Sequence, residues 1–169
     1  MAAIIAAERP DGPALRLKQD EAFFAWRYRN PVQRYVFYYR MEGEVARAFA
    51  VFDISADARS GSLLDYGEAR TGLLDEVLRH ACTSRDFVAL SALGYGLDAR
   101  AVASLRALGF TPVHTLKTLF KRGSVEALAP PILIRPIPAK FDDDAFRIGA
   151  LDMRRIGDWR LKPICSDGA

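Results

Sequence analysis

A chain of 169 residues, half of them hydrophobic, is about the size of one ordinary domain and can bury roughly 70 % of its unfolded surface. Its 24 Lys plus Arg stand against 21 Asp plus Glu, and a formal charge of +3 is too small to call for a polyanionic partner, although it permits an anionic cofactor. The two cysteines, Cys82 and Cys165, lie far apart and outside any Cys-x-x-Cys spacing, which argues against a disulfide framework and a zinc cluster, and no run reaches the ~20 apolar residues of a membrane span.

The opening Ala2-Ala3-Ile4-Ile5-Ala6-Ala7 is apolar for only six residues, lacks a basic segment before it and runs into Glu8-Arg9-Pro10. It does not read as a signal peptide, and the cytoplasm is the expected compartment. Pro10 to Pro13 is a turn. Asp20 is placed to cap a helix over residues 21–30, which Pro31 ends because its ring disfavours helical backbone in the residue before it. Residues 35–41 read as a strand, Glu42-Gly43 as a tight turn, and residues 45–54 as the antiparallel return. In that return Ala46, Ala48, Ala50 and Phe52 fall on one face and Val45, Phe49 and Val51 on the other, the pattern of a strand covered on both sides.

A polar loop over 55–60 leads to a short strand at 62–66 and then to Gly67-Glu68-Ala69-Arg70-Thr71-Gly72 before a second helix. Leu73, Leu74, Val77, Leu78 and Ala81 make the apolar stripe of that helix. Residues 87–93 are the next strand and Gly94-Tyr95-Gly96 a turn. A helix capped by Asp98 follows, with Ala101, Val102, Leu105 and Leu108 as its stripe and Gly109 as its left-handed stop. Residues 113–122 are strand-like, Pro130-Pro131 breaks the chain, and 132–137 form a strand interrupted by Pro136. The alternation of strand and helix implies a right-handed crossover between parallel strands. There is no internal repeat or low-complexity tract.

The stretch from Asp98 to Phe110 resembles the last helix of the GNAT superfamily of N-acyltransferases, where an Asn, then Arg-Ala, Leu-Tyr and Leu-Gly-Phe recur over the same positions. Asp98, Arg100, Ala101, Leu108, Gly109 and Phe110 fit that frame, and Ser104-Leu105 stands where Leu-Tyr would be. The order helix, hairpin, strand, helix, strand, helix, strand is similar to the same fold over residues 20–122, with 123–169 left as carboxy-terminal strands and tail. Phe24-Ala25-Trp26-Arg27-Tyr28-Arg29-Asn30-Pro31 is also similar to an element of the acyltransferases encoded with bacterial polysaccharide biosynthesis. The resemblance implies one α/β (α+β) domain over 1–169, a mixed central sheet with an antiparallel hairpin followed by β-α-β-α-β, and helices on both faces. Only about 34 residues precede the hairpin, so the amino-terminal side of that fold is expected to be abbreviated or supplied by another chain.

In that family a Gln or Arg, two residues, Gly, one residue, and Gly or Ala precede the Leu-Leu of the central helix. Amides free of side chains at a helix start then cradle the pyrophosphate of coenzyme A, aided by the helix dipole. Alignment on Leu73-Leu74 puts Asp65, Glu68 and Arg70 at the signature positions. The resemblance thus implies acetyl-CoA as cosubstrate and Tyr66, Gly67, Arg70, Thr71, Gly72, Leu73 and Asp98 as the residues around it. Two readings of the loop stay open. Gly67 and Gly72 could shift it and still expose amides, with Arg70 reaching a phosphate, or it is a solvated connection with a glycine-softened helix start. Two carboxylates beside a pyrophosphate repel it at about 1 kcal/mol per close pair even in high dielectric.

Acyl transfer to a primary amine needs a base, donors for the developing oxyanion and an acid for the leaving thiolate. Asp65 and Glu68 lie where the family places its base. Tyr95 is the nearest substitute for the helix tyrosine whose position is Leu105. Solvated loop carboxylates and a half-buried turn tyrosine are the plainer alternatives. The acceptor would be an amine of a small molecule, aminosugar or peptide. The missing glycines and tyrosine motivate a second expectation, a GNAT-like module that has lost turnover and serves in ligand binding or dimerisation.

His80 and His114 have no paired ligand spacing, so no metal is expected, and Cys82 is expected to be a buried, inert thiol. The cations and aromatics from Trp26 to Arg40 could stack single-stranded bases, but at this charge a core-facing helix plus an edge strand explains them more simply. Phe23, Phe24, Trp26 and Tyr28 suit a subunit contact, and a homodimer is a candidate assembly.

Overall fold

The computed structural model describes residues 1–8, 15–93, 97–111, 147–153, 155 and 159–160. In chain order these give α1 (Ala2–Ala7), β1 (Leu15–Arg16), α2 (Glu21–Arg27), β2 (Tyr35–Glu42), β3 (Val45–Ile54), β4 (Ser60–Glu68), α3 (Leu73–Thr83), β5 (Ala89–Ala92), α4 (Ala99–Ala107), β6 (Arg147–Ile148), β7 (Leu151–Asp152) and β8 (Trp159–Arg160). The architecture is α+β. A four-stranded sheet runs β2-β3-β4-β5, antiparallel except for the β4–β5 pair. The parallel pair is joined through α3, as the alternating strand and helix signals require. The expected strands at 113–122 and 132–137 lie outside the described residues, as do Tyr95, His114 and Cys165.

β3 is the sheet's centre, with Ala48 to Phe52 no more than 1 % exposed. Ala48, Ala50 and Phe52 face a core built with Leu73, Leu74, Leu78 and Leu105 of α3 and α4. Phe49 and Val51 face a second core with Ile4 of α1, Phe24 of α2 and Leu64 of β4. Both faces are therefore covered, and the alanines on one side let α3 lie close to the sheet. Ala46 departs from the expected face and packs with Phe49 and Val51 instead. The β2–β3 register shifts between Arg40↔Ala48 and Met41↔Ala46, so Arg47 is an extra residue that turns the strand over beyond it.

Local signals explain the helices. Asp20 Oδ1 accepts the Phe23 N–H at 3.0 Å and starts α2. That helix stops at Arg27 rather than Asn30. Asn30 Oδ1 instead takes the Val32 N–H at 3.0 Å, an Asx turn that helical backbone cannot make. Tyr28 leaves the helix to stack on Phe24 and meet Tyr35 and Phe37 edge-on. All five expected stripe residues of α3 are buried.

In α4, Asp98 Oδ1 accepts the Ala101 N–H at 2.7 Å. At its far end Gly109, at φ 91°, and Phe110 donate to the carbonyls of Arg106 and Leu105. This is a Schellman stop, and the Phe110 ring packs back on the core. Val102 is only half-buried, so the α4 stripe is narrower than its spacing suggested.

Other boundaries moved for physical reasons. The hairpin turn is Gly43-Glu44, one residue on from expectation, because Glu42 pairs with Val45 and Gly43 takes the left-handed φ of 60°. β4 runs from Ser60 to Glu68, longer at both ends, because the ten-residue β3 holds it from Gly61 to Glu68. β5 is shorter than expected, since Phe87 turns into the core while Val88 is exposed. The opening apolar run is a helix whose Ile4 is buried, and Leu15–Arg16 pairs in parallel with Trp159–Arg160. Cys82 is exposed rather than buried, and partial burial pushes its thiol pKa up, away from reactivity.

Candidate functional site

The site follows from a second bulge. β4 pairs with β3 at Asp65↔Val51 and at Leu63↔Phe52, leaving Leu64 as an extra residue. On the other side, β4 and β5 pair from Ser60↔Ala89 to Leu63↔Ala92 and no further. The parallel ladder thus ends where the bulge turns β4 away. Beyond Leu63, the β5 side of β4 has no strand partner among the described residues, and the start of α4 stands across the gap.

Tyr66 bridges that gap. Its buried ring belongs to the α3–α4 core, its hydroxyl accepts the Asp98 N–H at 3.3 Å, and it lies 3.4 Å from Asp98 Oδ2. Burial, and then the Asp98 charge, hold the Tyr66 hydroxyl well above the ordinary tyrosine range. The Tyr66 N–H is taken by Asp65 Oδ1 at 2.8 Å. Asp65 is fully buried, and Gln19 Nε2 reaches its other oxygen at 3.5 Å. Asp65 pairs with Val51 and therefore shares the face that packs α1 and α2, opposite Tyr66.

The end of β4 delivers Glu68 to the start of α3. Glu68 Oε2 accepts the Leu74 N–H at 2.9 Å, and Oε1 forms an ion pair with Arg100 of α4. A carboxylate of the chain itself therefore sits on a first-turn amide, where an anionic ligand of this helix would otherwise bind. Gly72, at φ 99°, is the residue before α3 and supplies no side-chain cap. Leu73 turns its side chain into the core, so only its backbone faces the loop. Thr71 is exposed, and Arg70, mostly exposed, donates to Glu42 Oε1 at 3.1 Å.

Gly67 has a packing role. A Cβ there would lie 2.7 Å from Phe49 Cε1 and 2.9 Å from both Glu8 Oε1 and Ile5 Cδ1. Its lack of a side chain lets α1 and the Phe49 ring close on β4.

Of the expected site residues, Tyr66, Glu68, Leu73 and Asp98 meet around the gap, Arg70, Thr71 and Gly72 line the loop, and Asp65 approaches from the opposite face. Tyr95 falls outside the described residues. Leu105 contributes only carbon to the core. Sequence reasoning did not find the Glu68–Arg100 pair, because 32 residues separate its members and neither belongs to a motif that joins them. Outside this junction, a cleft of about 400 Å³ lies beside Trp26, Arg27, Arg29 and Asn30 at the end of α2. No group of His, Cys, Asp and Glu among the described residues could hold a metal ion.

No protein-family model and no curated protein matches the sequence. A solved structure described as a probable acetyltransferase is similar in backbone course, at 19 % identity over 68 % of this chain and 77 % of its own, with a TM-score of 0.43.

Proposed function

We propose that the chain is an N-acyltransferase that takes an acetyl or related acyl group from coenzyme A to a primary amine, with the junction of β4, α3 and α4 as its site. The observation that carries this reading is the end of the β4–β5 ladder at Leu63↔Ala92, beside the Leu64 bulge. A strand edge with no strand partner among the described residues, next to a helix start, is a place where an extended, amide-bearing chain such as a pantetheine arm can add main-chain hydrogen bonds. The likeness of residues 98–110 to the last GNAT helix supports the same reading.

The residues fit one part of this cosubstrate and resist another. The open edge suits the pantetheine arm. The diphosphate finds Leu74 already bonded to the Glu68 carboxylate, while Asp65 is buried on the opposite face of the sheet. When bound, the cosubstrate would supply an activated thioester. Transfer forms the amide C–N bond, breaks the C–S bond and leaves one proton for the thiolate. In this chain Glu68, beside the gap at the start of α3, is the candidate acceptor for the ammonium proton. Tyr66 and Asp98 hold the start of α4 in place, and Tyr66 keeps its proton at neutral pH.

A second reading, a module of the same ancestry without turnover, is favoured by one specific arrangement: Glu68 on the Leu74 amide together with Leu105 in the core. Acetyl-CoA-dependent thiol release across a panel of primary amines separates the two. Release that is lost in Glu68→Gln supports the transferase. Binding of acetyl-CoA with no release from any amine supports the inactive module.

A further inference from the structure

We infer that the free edge of β2 pairs with β2 of a second copy, in antiparallel register about a two-fold axis at Tyr38. β2 is the outermost strand of the sheet, eight residues long, with no partner on its far side among the described residues. The Ile54 N–H donates to the Arg34 carbonyl at 2.9 Å, so Arg34 and, by alternation, Val36, Tyr38, Arg40 and Glu42 turn their main-chain groups toward β3. Tyr35, Phe37, Tyr39 and Met41 turn theirs outward.

Among the described residues, the Met41 carbonyl is already engaged by the Arg40 guanidinium, which must release it for Met41 to pair. An edge strand that stays single usually carries a lysine, a proline or a bulge. Here the outward residues are apolar or aromatic, and the bulge at Arg47 lies on β3 instead. Phe37, Tyr39 and Met41 are 37 %, 43 % and 42 % exposed, and Phe37 and Tyr39 stack with rings only 6° from parallel.

Charge selects the partner and the register. With Tyr38 on the axis, outward-facing Phe37 lies opposite Tyr39 of the second copy and Tyr35 opposite Met41, which are hydrogen-bonded positions. Arg34 then faces Glu42 of the second copy, twice by symmetry. Sliding the strands so that Phe37 lies on the axis would oppose Arg34 to Arg40. Sliding them the other way leaves Glu42 opposite Val36 and Arg40 opposite Tyr38. Of these three registers, the one centred on Tyr38 pairs opposite charges at both ends of the strand. Glu42 already holds Arg47 and Arg70 at 3.3 and 3.1 Å, and Arg34 of the second copy would join them.

Sedimentation of the full chain, of Arg34→Glu, of Glu42→Arg and of their equimolar mixture tests this. The wild type is expected to be a dimer, and each single variant, which places like charges opposite each other twice, to dissociate at concentrations about tenfold higher or more. The mixture is expected to regain the dimer, because a mixed pair restores opposite charges at both ends. Tyr39→Lys, which leaves Glu42 and its arginines untouched, is expected to weaken the dimer as well. A wild type that stays monomeric would overturn the inference and leave the edge to a strand of another chain. So would a dimer that neither charge reversal weakens.

Discussion

The Glu68 carboxylate lies 2.9 Å from the Leu74 N–H, so the first turn of α3 is capped from outside the helix by a residue six positions earlier. The same carboxylate pairs with Arg100 and ties α3 to α4. Glu68→Ala is expected to cost about 1 kcal/mol of stability through the lost cap. Glu68→Gln keeps an acceptor for Leu74 and loses only the charge on Arg100, so it is expected to cost less. Denaturant midpoints of the two variants give the comparison.

Gly67 and Gly72 need to be glycine for different reasons, and substitutions should separate them. Gly67→Ala would push a Cβ to 2.7 Å from the Phe49 ring, which is itself fully buried. The expected loss is about 1–3 kcal/mol of overpacking strain. At Gly72 the space is open and the backbone is left-handed at φ 99°. Gly72→Asn is therefore expected to be tolerated better than Gly72→Val, while Gly67→Asn should be worse than Gly67→Ala. Thermal unfolding of the four variants checks the order.

Alkaline stability should depend on buried tyrosines. Burial raises the Tyr28 and Tyr66 hydroxyls above their ordinary value of 10.0, with Asp65 adding to the first and Asp98 to the second. A group whose folded pKa is raised contributes stability fully below its unfolded pKa and loses it as pH rises through that range. The loss is thus expected to begin near pH 10, and ultraviolet titration should show Tyr28 and Tyr66 ionising only with unfolding. Tyr66→Phe is expected to be less stable at neutral pH, having lost the Asp98 contact, and to lose less on going to about pH 11. Ionisation of all tyrosines near pH 10 in the folded chain would contradict this.

Acid has the opposite sign at Asp86. Hydrogen bonds from the Tyr38 hydroxyl, at 2.6 Å, and then from Ser84 hold its carboxyl below the ordinary 3.8. Its contribution is present above that value and disappears as pH falls through the depressed one. The difference in melting temperature between the wild type and Asp86→Asn is expected to be constant at neutral pH, to begin shrinking below about pH 4 and to be lost as pH falls on through the depressed value.

How much of this was legible in the sequence depended on distance along the chain. α4 could be read almost residue by residue, since Asp98 and Gly109 act through hydrogen bonds to their near neighbours. The stripe of α3 was equally plain. The gap beside β4 was not, because the Leu64 bulge and the end of pairing at Leu63 are set by register between strands rather than by any local pattern. Gly67 resembled a cofactor glycine in sequence and proved to be a point of contact for Phe49, Glu8 and Ile5, brought in from two other elements. α1 went unread because six residues give too few turns for periodicity to show.

Titration of the wild type and of Glu68→Gln with acetyl-CoA, followed by melting temperature, tests the central claim that the open edge of β4 and the start of α3 form a cosubstrate site. At a hundred times its dissociation constant the ligand should stabilise the fold by about 2.7 kcal/mol, a rise of several degrees. Glu68→Gln, which removes the negative charge at the start of α3, should reach that rise at lower concentration. Melting temperatures that stay flat in both proteins at about millimolar acetyl-CoA, a ligand excess that should register even weak binding, would contradict the account.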